Sequence, residues 1–299
     1  MKRVLPVVLI IAIFLIGVGL LSYPLISSVV NNIAAGQQAD FYVEFAKEAD
    51  TTEIDAMFEE ARQYNDSLHQ VILTDPFDAE SYGLIGENYE NCLNVDGGGL
   101  IGYVDIPKIG VYLPIYHGTS VSVLAKGAGH LEQTSLPIGG ESTHSVISAH
   151  SAFPSETFFD YLTDMEIGDE FFIHVLNKTL RYVVDDINVV LPDDVSRLYI
   201  EDGEDFVTLL TCTPYSVNTH RLLVRGKRAA YTEPQQPKRK SLSVDTDQGS
   251  VYFLGYKLSY LTIGLAIGGF LLFVAAAVIL IIRLGRKKRS APRHGEKKR

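Results

Sequence analysis

The sequence predicts a mainly β protein: a closed or nearly closed β-barrel with short helices, preceded by a helical region and flanked by two membrane-spanning segments. Three observations carry that expectation. After Gly99 the chain becomes a series of short β-rich runs punctuated by turn residues, with few helical interruptions. Before Gly99, apolar residues recur at three- and four-residue spacings. At both ends lie long stretches without a single charge.

Residues 1–26 form the first anchor: Val4 to Ile26 is uncharged and follows Met1-Lys2-Arg3. A spanning helix needs roughly 20 apolar residues, which this segment supplies. The rival reading is a cleavable signal sequence, for which "NIAAGQ" at 32–37 is the only small-residue site. Residues 27–99 are the helical region. Phe41, Phe45, Ile54, Met57, Phe58, Ala61, Tyr64 and Leu68 set its period over 40–70, and Asp50-Thr51-Thr52-Glu53 reads as a cap between two helices. "LTDPFDAESYG" (73–83) is a loop, because Pro76 breaks a helix and Asp75 can start a turn. "NVDGGG" (94–99) is a flexible joint.

The barrel occupies residues 100–232. Its runs are "LIGYVDIP", "VYLPIYHG", "SVISAH", "EFFIHVL", "TLRYVVDDINVV", "DFVTLLTC" and "RLLVRGKRA", with Asn177-Lys178 as a tight turn between the fourth and fifth. Residues 233–257 are a polar, proline-containing stalk. Residues 258–282, uncharged throughout, are the second span, and 283–299 are a basic tail.

Charge placement sets orientation. Two of the 26 Lys and Arg residues precede the first span and nine follow the second, whereas 35 of the 36 acids lie between the spans. Positive-inside reasoning puts both termini in the cytoplasm and residues 27–257 outside the cell membrane. So acidic a domain argues against nucleic-acid binding, and the basic tail reads as a topology anchor. Two cysteines do not make a disulfide framework. Cys92 lies in the glycine-rich joint, away from the strand runs, and a bridge from it to Cys212 would silence the second thiol.

Cys212 ends the run "DFVTLLTC", on one face with Thr208 and Leu210. If that run pairs antiparallel with the next, Cys212 faces Arg221 at roughly 5 Å, while Arg225 lies roughly 13 Å further along the strand. An arginine keeps its charge at any working pH, so it can favour a thiolate or hold an oxyanion. It cannot act as a base, and a thiol-acyl mechanism still needs a proton carrier, normally histidine. His117, His130, His144, His150, His174 and His220 are the candidates. His150 stands out because it closes the run "SVISAH" where the chain leaves the sheet. Spacing alone leaves a buried structural cysteine as the commoner reading, and a zinc site from Cys212 and several histidines as a rival without CxxC or HExxH support.

"TLLTC" followed by "NTHRLLVRG" resembles the sortase signature, a Thr-Leu-x-Thr-Cys strand before an arginine-bearing strand. The likeness extends through "IGYVDIPKIGVYLPIYHGTS", "GAGHLEQTSLPIGG", "THSVISAH" and Gly168-Asp169, over roughly residues 100–230. The resemblance implies Cys212 as nucleophile, His150 as acid/base and Arg221 as stabiliser of the substrate carbonyl or oxyanion. It implies no cofactor and no metal. Two features are similar to the class C, pilin-polymerising sortases of Gram-positive bacteria: the second span, and Asp75-Pro76-Phe77, which resembles their lid. From sequence alone 73–83 is only a helix-to-barrel connection. As a lid, Asp75 would pair with Arg221 and Phe77 would lie over the Cys212 sulfur. Such a pair, if exposed, is worth at most about 1 kcal/mol, so the lid is expected to open readily. One departure stands out: the family often has arginine after the catalytic histidine, and this chain has Ser151.

The implied reaction is cleavage of an LPxTG-like sorting signal of a pilin or surface protein between Thr and Gly, with acyl transfer to a lysine amine of the next pilin. The alternatives are a housekeeping sortase attaching surface proteins to a cell-wall precursor, and a non-catalytic membrane receptor built on the barrel.

Overall fold

Eight strands close on themselves in the order β1-β2-β3-β4-β7-β8-β6-β5. They are β1 (Leu100–Ile106), β2 (Val111–His117), β3 (Ala128–His130), β4 (Thr143–Ser148), β5 (Glu170–Val175), β6 (Lys178–Val190), β7 (Asp205–Thr213) and β8 (His220–Ala229). The computed structural model describes residues 13–20, 23, 38, 41–68, 75–77, 87–152, 158–231, 250–253 and 256–259. The barrel confirms the mainly β, closed-barrel part of the expected fold, and its strands fall on every expected run. It adds β3, whose three residues pair parallel with β2 and antiparallel with β4. The tight turn lies one residue earlier than expected: Val175 pairs with Lys178, leaving Leu176 and Asn177 as the two-residue loop, with Leu176 at φ 47°.

Strand alternation divides the barrel into two apolar clusters. Ile147 and Ala149 of the β4 end, Val207 and Leu209 of β7, and Leu222 and Val224 of β8 point into the interior. Their neighbours Val146, Leu210 and Leu223 form a smaller cluster on the opposite face, with Leu131 and Leu198 and with Phe77 packed against it. Cys212 and Arg221 follow Leu210 and Leu223 on that outer face by the period of two.

The helical region belongs to the interior cluster. Residues 41–48 are helical and α1 spans Thr51–Ser67, with the Asp50 side chain accepting from the Thr52 amide as the cap motif anticipates. Tyr42, Ile54, Phe58 and Ala61 are buried in it. The Tyr42 hydroxyl donates to the Ile101 carbonyl and accepts from the Leu176 amide, and Asn65 exchanges hydrogen bonds with both backbone groups of Leu136. A short helix, α2 (Glu87–Asn91), was not anticipated, and it carries Cys92 into this core at 5% exposure. Cys92 therefore lies against the strands, its carbonyl 2.8 Å from Nε2 of His117. Both cysteines are free thiols.

Burial pushes the imidazole of His130 down to about 3 and that of His144 down to about 4 from 6.5. Each is held by hydrogen bonds: His130 to the Tyr89 hydroxyl and the Ser135 carbonyl, His144 to the Tyr199 carbonyl and the Thr208 hydroxyl. The unfolded chain takes up these protons near pH 6.5 and the barrel only near pH 3 to 4, so stability falls as pH drops through that window. Thermal melting from pH 7.5 to 4 should show a loss on the order of a few kcal/mol. A flat profile would mean that these rings are hydrated.

The chain divides into two units, Met1–Leu242 and Ser243–Arg299. In the second, β9 (Ser250–Phe253) and β10 (Tyr256–Ser259) pair antiparallel, so the end of the expected stalk and the first two residues of the expected second span form a hairpin. No described helix is long and apolar enough to cross a membrane. The expected spans, 4–26 and 258–282, and the tail 283–299 lie largely or wholly outside the described residues. Residues 13–20 are helical and expose Ile13, Leu15, Ile16, Val18 and Leu20.

Candidate active site

Cys212 and Arg221 are a directly opposed pair in the antiparallel β7–β8 ladder, as the spacing of the two runs predicts. Thr208 faces Arg225, which instead binds Asp185 and Glu201. The Arg221 guanidinium is oriented from below by its loop: Nη1 donates to the carbonyls of Asn218 and His220, both at 3.1 Å.

His150 stands two residues beyond β4, where the ladder to β7 ends with the Ala149 amide donating to the Leu210 carbonyl. The other candidate histidines have structural partners. His117, His130 and His144 are buried among hydrogen bonds, and Nδ1 of His174 meets the Thr179 hydroxyl. His220 begins β8 with its Nδ1 on the neighbouring Thr219 hydroxyl. Among the described residues no group of three or more His, Cys, Asp or Glu side chains is arranged to hold a metal ion.

Asp75, Pro76 and Phe77 form a turn directly on this site, and the Phe77 amide donates to Oδ1 of Asp75. The Asp75 carboxylate takes the Arg221 fork in bidentate fashion, Nε to Oδ1 at 2.8 Å and Nη2 to Oδ2 at 2.5 Å. Pro76 is buried. The Phe77 ring lies 5.5 Å from the His150 ring, centroid to centroid, and 5.2 Å from the Arg221 guanidinium carbon. These contacts set the Phe77 ring beside the imidazole and the cation of the site. The ion pair is also not exposed: the two side chains keep only 10% and 12% of their surface. The expected weak surface bridge is instead a largely desolvated one, costly to break by removing one partner.

This environment sets the charges. Burial raises the Cys212 thiol above its usual range, the Asp75 carboxylate adds to that, and Arg221 offsets it in part. Burial also lowers the His150 imidazole. With the turn in place the pair is therefore a neutral thiol and a neutral imidazole at pH 7. At 7% exposure Cys212 is shielded from solvent.

Sequence reasoning left two further contacts unseen. The Ser151 hydroxyl donates to the Cys212 carbonyl at 2.7 Å, and the Thr211 hydroxyl donates to the Ala149 carbonyl at 2.7 Å. Ser151 was legible only as an unusual residue beside His150.

A model of the sortase domain matches residues 104–229. Among curated proteins, sortase D of Bacillus subtilis is 30% identical over 130 residues, covering 42% of this chain and 63% of that protein. Sortase A of Streptococcus agalactiae is 27% identical over 131 residues, covering 43% and 52%. The chain thus spans less than two thirds of the length of either curated relative. Among solved structures, sortase C of Streptococcus pneumoniae is 44% identical, with a TM-score of 0.61, covering 66% of this chain and 99% of that one. The pilus-related sortase C of Group B Streptococcus is 48% identical, with a TM-score of 0.60, covering 65% and 97%. Matched to nearly complete sortase structures at this identity, and carrying the opposed Cys212–Arg221 pair on a closed barrel, the chain belongs to the sortase family.

Proposed function

We propose that this protein is a membrane-anchored cysteine transpeptidase of the class C, pilin-polymerising type. The single observation that carries the reading is the Asp75–Phe77 turn seated on Arg221 and His150. With the turn displaced, the Cys212 thiol attacks the Thr–Gly carbonyl of an LPxTG-like signal and its proton passes to His150. Arg221, released from Asp75, turns Nε and Nη2 to the developing oxyanion. Collapse breaks the C–N bond, His150 returns the proton to the leaving glycine amine, and a thioester remains on Cys212. A lysine amine of the next pilin attacks that thioester, forming an isopeptide bond and regenerating the thiol. Incubation with a sorting peptide and a lysine-bearing pilin acceptor should yield the isopeptide-linked product. Hydrolysed peptide alone, whatever the acceptor concentration, would count against polymerisation.

The placement that suits this chemistry has both termini in the cytoplasm and residues 27–257 outside, as charge asymmetry favours. Labelling of intact cells should leave the 283–299 tail unmodified; a labelled tail would overturn this topology.

As a lid, the turn excludes water and oxidants from the thiol until substrate arrives. Replacing both Asp75 and Phe77 with alanine should speed alkylation of Cys212 at least about tenfold, since each ~1.4 kcal/mol taken from the closed state multiplies the open population by ten. Asp75→Asn alone should move the alkylation midpoint to lower pH, because a carboxylate beside a thiol disfavours the thiolate. Equal alkylation rates in wild type and double variant would reduce 73–83 to a connecting segment.

A further inference from the structure

The proposed reaction needs His150 and Cys212 at a fixed separation, yet they stand on different strands and His150 lies beyond the end of its own. Past Ser148 the parallel β4–β7 ladder has one more backbone bond, from the Ala149 amide to the Leu210 carbonyl at 3.1 Å. In a continued parallel ladder the amide of residue 151 would donate to the carbonyl of residue 212. The chain turns instead, with Ala152 at φ 62°, and the Ser151 hydroxyl donates to that carbonyl. One step back, the Thr211 hydroxyl donates in the opposite direction, to the Ala149 carbonyl. Both hydroxyls are buried, Ser151 at 8% exposure and Thr211 at 2%. They cross between the strands on either side of His150, one holding the backbone carbonyl of Cys212 and the other that of Ala149.

We propose that Ser151 is a positioning residue: its hydroxyl replaces a missing ladder bond and holds the backbone of Cys212 in register with that of His150 for proton transfer. The proposal deepens the transpeptidase reading and rests on it. Resemblance leads one to expect arginine at this position, where this chain has Ser151. A short buried hydroxyl bonded to the nucleophile's own carbonyl acts inward.

The test uses the full-length chain with Ser151→Ala, Ser151→Thr and Ser151→Cys. Loss of the donor should lower kcat for sorting-peptide cleavage about tenfold, the scale of a small misplacement of reacting groups, with KM within about twofold of wild type. Threonine keeps the hydroxyl and should recover most of kcat, while the weak thiol donor should fall between. A wild-type kcat in Ser151→Ala, a loss confined to KM, or a threonine variant as slow as alanine overturns the proposal. Should the wild type cleave no sorting peptide, the transpeptidase reading fails, and the positioning claim is tested separately by iodoacetamide alkylation against pH, with Cys212 and Cys92 peptides resolved by mass. Ser151→Ala should shift the Cys212 midpoint and Ser151→Thr should not. Identical midpoints in wild type and Ser151→Ala overturn it.

Discussion

Replacing Cys212 with alanine should lower sorting-peptide cleavage by at least about 10⁴-fold while leaving the barrel folded, because the other thiol, Cys92, is buried at 5% exposure with its sulfur on the Asn88 carbonyl. The kinetic loss is large because the substitution removes the attacking atom. The structural loss is small because the change deletes one sulfur near the end of β7, about 1 kcal/mol of packing. Peptide cleavage followed by chromatography, beside a thermal melt of the same preparation, checks both halves. Turnover near that of wild type in the folded variant would remove Cys212 from the reaction.

Arg221→Ala should lower kcat about 10²- to 10³-fold, the usual effect of deleting one preorganised donor to an oxyanion. Arg221→Lys should recover little. The guanidinium here uses three nitrogens at once, two toward Asp75 and one toward the loop carbonyls of Asn218 and His220. A single ammonium cannot keep the loop bonds while presenting two parallel donors. Arg221→Ala also strands the Asp75 carboxylate at 12% exposure, and hydrating it requires the turn to leave. Slower turnover should therefore accompany faster proteolysis near residues 73–83. Full activity in Arg221→Lys would mean that charge alone suffices at this position.

The pairing of Cys212 with Arg221 was legible because two runs joined by a six-residue loop allow only a few registers. The helix cap at Asp50 was legible for a similarly local reason. What escaped the sequence depends on distant chain. β3 is three residues long, too short for alternation to show, and two parallel neighbours, β2 beside β3 and β4 beside β7, arise from crossovers that no local pattern records. Cys92 looked like part of a joint because the glycines after it dominate the composition, yet its neighbours in space are α1 and the barrel. The turn at Leu176 ran one residue early because a leucine there accepts a left-handed backbone that sequence rules reserve for asparagine or glycine. The Asp75–Arg221 pair was legible as a pairing through resemblance. Its burial was not, since the two partners lie 146 residues apart and no local pattern records how they meet.

The central claim is that an acyl group passes through Cys212. The most direct measurement is the intact mass of the protein quenched in acid during turnover of an LPxTG peptide, followed by mapping of the modified residue. The account predicts an added mass equal to the peptide up to its threonine less one water, located on Cys212, removed by hydroxylamine and absent from Cys212→Ala. Peptide cleavage with no adduct on Cys212 under conditions that trap a thioester, or an adduct on another residue, would contradict it.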